Sequence, residues 1–398
     1  MDQSRCKFIA AMAITSIACA SASAADINVG IIVGFTGPTE SESPNYARAA
    51  ELAAAEINRS GLLLDGSKII TPHGDSTCID SSAAVAAAER LVSTDKVAAL
   101  VGADCSGVSA AIVKNVTAPN GVLMISPSAT SPALTDLADD GYFFRTAPSD
   151  ARLGQVITDM LIGKDLKKVA ISYSNSDYGK AMTDSFSAAY QAAGGTVTLA
   201  APHDDGKGDY SAEVAALAAA GGDLLVVFGY ADQGGLGIVR QSLESGAFDR
   251  FAFGDGMFYQ SLLDAVGSEL EGSIGAVAGS EGEGGEAFDA VAKAADFDPN
   301  GVYRRENYDA MALIGLAIQK AGSTDRTAIR DALVSVANAP GEKIVPGQLA
   351  KGLQILKDGG DIDYVGATNV EFDTDGDVGG SYREYVIKGG KFETVGFR

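Results

Sequence analysis

The chain has 398 residues, more than one hydrophobic core usually organises, so two domains are expected. It is 46% hydrophobic and 21% charged, with 48 Gly and no Trp, a globular composition in which Ala-rich helical and Gly-punctuated extended segments point to α/β architecture. A formal net charge of −22 argues against nucleic acid and anionic lipid as partners and for a dispersed, monomeric protein.

Residues 1–24 read as an export signal. Arg5 and Lys7 give a basic start, Phe8–Ala18 an apolar core, and Ala22-Ser23-Ala24 a small-residue cleavage site. Cys19 raises a lipid-anchored alternative, but Ser16-Ile17-Ala18 is a poor match to a Leu-led lipobox, so a soluble exported form is expected. No later segment is long and apolar enough to span a bilayer. Only Cys78 and Cys105 lie beyond the signal. An even pair in an exported chain favours one disulfide between them, with two free thiols as the alternative.

Ile27–Gly34 is an apolar run expected as a buried strand, followed by the loop Phe35–Pro44 and a helix from about Asn45 to Asn58 with Ala49, Leu52, Ala53 and Ile57 at helical spacing. Ile69–Thr71 is read as a strand and Ser81–Val92 as a helix. Val97–Val101 and Val122–Ile125 are short apolar runs, each ending in small polar residues: Asp104-Cys105-Ser106-Gly107 and Ser126-Pro127-Ser128-Ala129-Thr130. Such runs are buried parallel strands with their βα loops, and in open α/β sheets ligands sit at those carboxyl ends. Hydroxyls and backbone N–H groups there suit a carboxylate, so Ser106, Ser128 and Thr130 are expected to grip one end of a small molecule.

Pro148 marks a change of domain, with Ser149 or Asp150 capping a helix to about Ile162. The rhythm then restarts. Strands are expected at Val169–Tyr173, Thr196–Ala200, Leu224–Phe228, Phe251–Phe253 and Ile274–Ala278, with helices at Tyr178–Ala193, Ser211–Ala220 and Gly234–Leu243 between them. Glu281–Glu286 reads as an acidic Gly-rich loop, helices follow at about Ala287–Ala295, Glu306–Ala321 and Arg326–Ala337, and the tail from Ile362 reads as short strands and turns.

Enzyme chemistry has little to draw on. His73 and His203 are the two histidines, both read as ordinary loop residues, so no histidine triad or H-E-x-x-H zinc site is supplied. Gly234-Gly235-Leu236-Gly237 is read as a tight βα turn, and Asp373-Thr374-Asp375-Gly376-Asp377 as a hairpin turn lacking the glutamate that closes a calcium loop. No metal or other cofactor is expected. A binding site is better supplied: Tyr178, Tyr230 and Asp255 stand at βα loops of the second unit as Ser106, Ser128 and Thr130 do in the first. Facing units would offer hydroxyls to a carboxylate, and an acid with two aromatics to an ammonium.

At Phe35-Thr36-Gly37-Pro38, Ala55-Glu56-Ile57-Asn58, Asp75-Ser76-Thr77-Cys78, Ser126–Pro132, Phe144-Arg145-Thr146 and Asp177-Tyr178-Gly179 the sequence resembles type I periplasmic solute-binding proteins, specifically the leucine/isoleucine/valine-binding family of ABC transporters. The resemblance implies two Rossmann-like lobes, each a doubly wound parallel sheet, joined by three crossovers: residues 25–148 plus 278–375, and 149–277 plus 376–398. It implies a periplasmic protein that captures an amino acid or similar zwitterion by hinge closure and passes it to a permease/ATPase complex. By position, Ser106 with Ser128, Ala129 and Thr130 would hold the ligand carboxylate, Tyr230 and Asp255 the ammonium, and Tyr178 would close over it. Cys78 and Cys105 match the family's disulfide. Asp255 stands where the branched-chain binders carry glutamate, and Glu42 where they carry a tyrosine against the ligand side chain; a carboxylate there disfavours an aliphatic group, and the alternatives are that it points to solvent or favours a polar or cationic ligand. A ligand-binding sensor for amides or small organic acids is the alternative, and a hydrolase using Ser106 or Ser128 is disfavoured for want of a nearby histidine.

Overall fold

The computed structural model describes residues 25–398; residues 1–24, read above as an export signal and including Cys19, lie outside the described residues. The chain builds two sheets. The first takes β1 (Asp26–Val33), β2 (Lys68–Ile70), β3 (His73–Asp75), β4 (Ala99–Gly102), β5 (Leu123–Ser126) and β6 (Phe143–Arg145), all parallel, in the order β2-β1-β4-β5-β6. Both β2 and β3 pair with β1, against its two ends. The strand expected at Ile69–Thr71 is β2, and β3 beyond it was not anticipated; between them Pro72 has no N–H for the ladder but accepts from Ile31 N–H at 2.9 Å. The second sheet holds β7 (Lys168–Ser174), β8 (Thr196–His203), β9 (Leu224–Phe228), β10 (Phe251–Phe253) and β11 (Ile274–Ala278) in parallel. After a small parallel pair, β12 (Glu342–Ile344) with β13 (Ile362–Tyr364), the chain adds β14 (Tyr382–Lys388) and β15 (Lys391–Phe397) antiparallel on the β11 edge.

Strand alternation assigns each sheet two cores. Val29, Ile31, Val33, Val101 and Ile125 pack with α1 (Ser43–Ser60), while Ile32, Leu100 and Met124 pack toward α2 (Ser81–Ser93) and α3 (Ser106–Ile112). In the second sheet Val169, Ile171, Val226 and Phe228 meet α4 (Asp150–Gly163) and α5 (Asp177–Ala192). Leu225, Val227 and Phe253 meet α6 (Ser211–Ala220), α7 (Gly234–Ser245) and α8 (Gln260–Val266) on the other face. The inner parallel strands β4, β5, β9, β10 and β11 are buried on both faces, which is why these segments read as apolar runs, whereas β2, β3 and β8 at the flanks are partly exposed.

After β11 the chain returns to the first unit with α9 (Glu283–Ala294), α10 (Arg304–Ala321), α11 (Arg326–Ala337) and α12 (Leu349–Lys357). Helix α10 lies along α1 and touches β4 and β5. The chain therefore passes between the units three times. The passages lie side by side: Ser381 Oγ donates to Gly279 O at 2.8 Å, and Tyr382 Oη to Ser149 O at 3.0 Å. Thr146 Oγ1 donates to Glu306 O at 3.0 Å, and Ser280 Oγ to Ala367 O at 2.8 Å.

Several expectations are corrected. Phe143–Arg145 is a sixth strand of the first sheet, and Glu283–Glu286, read as loop, opens α9. Helices α8 and α12 were not anticipated: each is short. His203 is no loop residue. It is buried at the end of β8 with Ser172 Oγ 2.8 Å from its Nδ1, and burial lowers its pKa to about 4. His73 begins β3, 2.9 Å from Glu51 at the surface.

Candidate ligand-binding site

Both sheets share one strand order, with the first strand inside and the second at its flank, so each reverses direction of winding between β1 and β4, or β7 and β9. A crevice opens at such a switch point, outside the carboxyl ends of the strands. The two crevices face each other across a cavity of about 20 Å³, room for little more than a water. Ser106 and Ser128 from the first unit, and Tyr178, Tyr230 and Asp255 from the second, all line it.

Asp255 is the electrostatic centre. It is buried, accepts Tyr178 Oη at 2.6 Å on Oδ1 and the Tyr303 hydroxyl on Oδ2, and has no cationic partner among the described residues. Burial raises its pKa, with the tyrosine hydroxyls opposing. Asp150, at the start of α4, is a second buried acid close enough to feel it. Burial first, then the Asp255 charge, hold Asp150 well above the usual carboxylate range. Its Oδ2 accepts Thr130 Oγ1 at 2.9 Å, while Oδ1 is buried without a protein partner. A third acid, Asp104, is spoken for: Ser76, Thr39 and the Gly34 N–H donate to it at 2.6, 2.7 and 2.9 Å. Burial still raises its pKa.

The tyrosines around these acids are kept protonated, since burial and the neighbouring carboxylates push Tyr178, Tyr230 and Tyr303 well above their ordinary range. The rings of Tyr178 and Tyr230 lie 5.3 Å apart. Besides the Thr130–Asp150 bond, contacts that hold the units together here include Tyr303 to Asp255, Tyr46 Oη with Tyr259 Oη at 3.3 Å, Ser41 N–H to Asp232 Oδ2 at 3.0 Å, and Gly107 against Asp177.

The expected carboxylate grip comes together in part. Ser106 Oγ accepts Ser131 N–H at 3.2 Å, which leaves its own proton to donate. Ser128 Oγ donates to Asp104 O at 3.0 Å. Ala129 N–H is used by Ser126 Oγ at 3.0 Å and the Thr130 hydroxyl by Asp150, and neither residue lines the cavity. Glu42 lies apart: it is buried against Arg304, whose Nη2 reaches its two oxygens at 3.1 and 2.9 Å, outside the central lining. It neither faces the central cavity nor points to solvent. Tyr46, Tyr259 and Tyr303 went unread because they come from helix surfaces and a late loop with no motif. Asp104 and Asp150 stood inside quoted segments and could have been flagged as acids beside a proposed anion site.

Cys78 and Cys105 form a disulfide, Cα atoms 5.1 Å apart, tying the loop after β3 to the loop that carries Ser106. Gly235 permits the βα turn after β9: a Cβ there would sit 2.4 Å from Met257 Sδ and 2.7 Å from Tyr230 O. In the aspartate-rich turn, Asp373 Oδ1 accepts the N–H groups of Asp375 and Asp377, Phe372 bridges Val378 antiparallel, and Asp377 pairs with Arg145.

The family model described as periplasmic binding protein matches residues 26–348. The Leu/Ile/Val-binding protein homolog 3 of Brucella melitensis is 32% identical over 316 residues, 79% of this chain and 84% of its own. The leucine binding protein LivK of Thermotoga maritima superposes with a TM-score of 0.79 at 20% identity, over 93% of this chain and 98% of that one. The branched-chain amino acid binding protein LivJ of Streptococcus pneumoniae, in complex with isoleucine, gives 0.76 at 25% identity, over 93% and 99%. The chain belongs to the type I periplasmic binding proteins, in the leucine/isoleucine/valine-binding family, and is a solute-binding protein rather than an enzyme.

Proposed function

We propose that this protein captures an α-amino acid between its two lobes in the periplasm and delivers it, as a monomer, to the permease/ATPase complex of an ABC importer. The lobes, residues 25–148 plus 278–375 and 149–277 plus 376–398, would rotate about the three passages. The carrying observation is the buried Asp255, whose side-chain partners are two tyrosine hydroxyls and, among the described residues, no cation, with a second acid near enough to act on it. An ammonium supplies the positive charge that this pair lacks, at a place where an anion would be repelled. Tyr230 and Tyr178 present aromatic faces to the same group. Ser106, with a donor to spare, is the anchor for the carboxylate, with Ser128 and the Ala129–Thr130 turn adjusting as the lobes part.

The small cavity requires the Tyr303 contact with Asp255 to yield before a ligand enters. The experiment is a thermal-shift screen of the mature protein against amino acids, their amides and small organic acids. A ligand at a hundred times its dissociation constant stabilises by about 2.7 kcal/mol. At least one α-amino acid is expected to raise Tm, and its deaminated analogue is not. Equal stabilisation by the two would overturn the reading.

A further inference from the structure

Beside the central cavity, and sharing no lining residue with it, lies a larger one of about 410 Å³. Both lobes contribute: Glu42, Asp298 and Arg304 from the first, and Phe258, Arg383, Lys391 and Phe392 from the second. Three cations thus meet two carboxylates. Both carboxylates are held by one of the cations: Arg304 contacts Glu42 at 2.9 Å and Asp298 at 3.4 Å. Arg383 and Lys391 are left without an ion pair among the described residues.

The guanidinium of Arg383 makes one hydrogen bond, from Nη2 to the Asn300 carbonyl at 3.2 Å, and lies 4.9 Å over the Phe258 ring. Phe258 in turn stacks on Phe392, centroids 4.0 Å apart, with Leu263 beside them. Burial, and then the charge of Arg305, push Arg383 below the usual arginine range, so a counter-anion would relieve it. In a molecule of net charge −22, two cations with no ion pair beside an aromatic floor run against the bulk composition, even though Glu306 and Asp289 act on Arg383 from a distance.

We propose that this cavity is a second ligand site, taking a small amphipathic organic anion whose carboxylate is held by Arg383 and Lys391 and whose apolar body lies on Phe258, Phe392 and Leu263. The arginine supplies a planar two-donor match to a carboxylate, and the rings remove apolar surface from water. Because such an occupant touches both lobes, it favours the arrangement in which they meet.

The test uses the mature protein, hexanoate as probe and hexan-1-ol as its uncharged counterpart, followed by calorimetry or NMR titration. Wild type is expected to bind hexanoate and not hexan-1-ol. Asp255→Ala should keep hexanoate binding while losing amino-acid binding. Arg383→Gln with Lys391→Gln should weaken hexanoate by about tenfold or more, the loss of a charge-assisted hydrogen bond. Lys391→Glu, at an exposed position, should also weaken it by about tenfold and covers a double variant that fails to fold. The proposal is overturned if wild type does not bind hexanoate, if hexan-1-ol binds as well, or if Asp255→Ala removes the binding while the cavity variants leave it intact.

Discussion

Buried charge is the dominant theme at the scale of single residues. Glu306 is almost fully enclosed, and burial raises its pKa from 4.5 to about 7. The folded state therefore holds a proton that the unfolded chain releases, so stability from this group is full below pH 4.5 and is lost as pH rises towards 7. Glu306→Gln should remove that loss: about 2–3 kcal/mol more stable than wild type at pH 8 and unchanged at pH 4, read by urea denaturation. Asp309, raised to about 6 by burial, adds a slope of the same sign to both proteins, and since its charge and that of Glu306 repel, the substitution also eases its ionisation. The Glu42–Arg304 pair is the opposite case, two buried charges that satisfy each other. Glu42→Gln leaves the guanidinium with only the exposed Asp298 carboxylate at 3.4 Å and should cost about 3 kcal/mol, while leaving amino-acid affinity within a few-fold because Glu42 is off the central cavity. A change of ligand ranking would show instead that it reaches the ligand.

Among the elements, α3 matters most for bringing the lobes together. A Cβ on Gly107 would sit 2.8 Å from Asp177 Oδ2 at the start of α5, so the two helices approach across the cleft through a missing side chain. Gly107→Leu should hold the lobes apart, weakening ligand at least about tenfold with little change in Tm; small-angle scattering should show no compaction on ligand addition. The loop before α3 is pinned by the Cys78–Cys105 bridge, which closes a separation of 27 residues. Replacing both cysteines by serine should cost about 3–4 kcal/mol by the chain-entropy account, read from denaturant midpoints. These elements also mark how far the sequence could be read. Val97–Val101 and Leu224–Phe228 announce buried parallel strands because both faces are covered, and the parallel core was legible for that reason. Helix α8 owes its place to tertiary packing, which seven residues do not encode, whereas α12 carries Leu349, Leu353 and Leu356 at i, i+4 and i+7, a helical signal that could have been read.

The whole molecule is two crevices brought face to face by three neighbouring passages, and its function depends on that juxtaposition. Ser106, Ser128, Tyr178, Tyr230 and Asp255 were legible because a strand's carboxyl end is a local property of the chain. Tyr46, Tyr259 and Tyr303 were not, because they face the cavity only once the lobes meet. The same holds for the partnership of Asp150 with Asp255, which no spacing in the sequence announces. That pair gives binding a pH signature. An ammonium at Asp255 favours the ionised form of both acids, so ligand binding should release protons and affinity should rise with pH. Calorimetry at pH 5 in buffers of different ionisation enthalpy checks this.

The central claim is that Asp255 is the counter-charge of a ligand ammonium. Its most direct measurement is calorimetric titration of wild type and Asp255→Ala with the best amino acid from the screen and with its deaminated analogue. Wild type should prefer the amino acid by about a hundredfold or more, the usual penalty for an uncompensated buried charge, and Asp255→Ala should erase both the affinity and the preference. An Asp255→Ala protein that binds the amino acid as tightly as wild type would contradict the account.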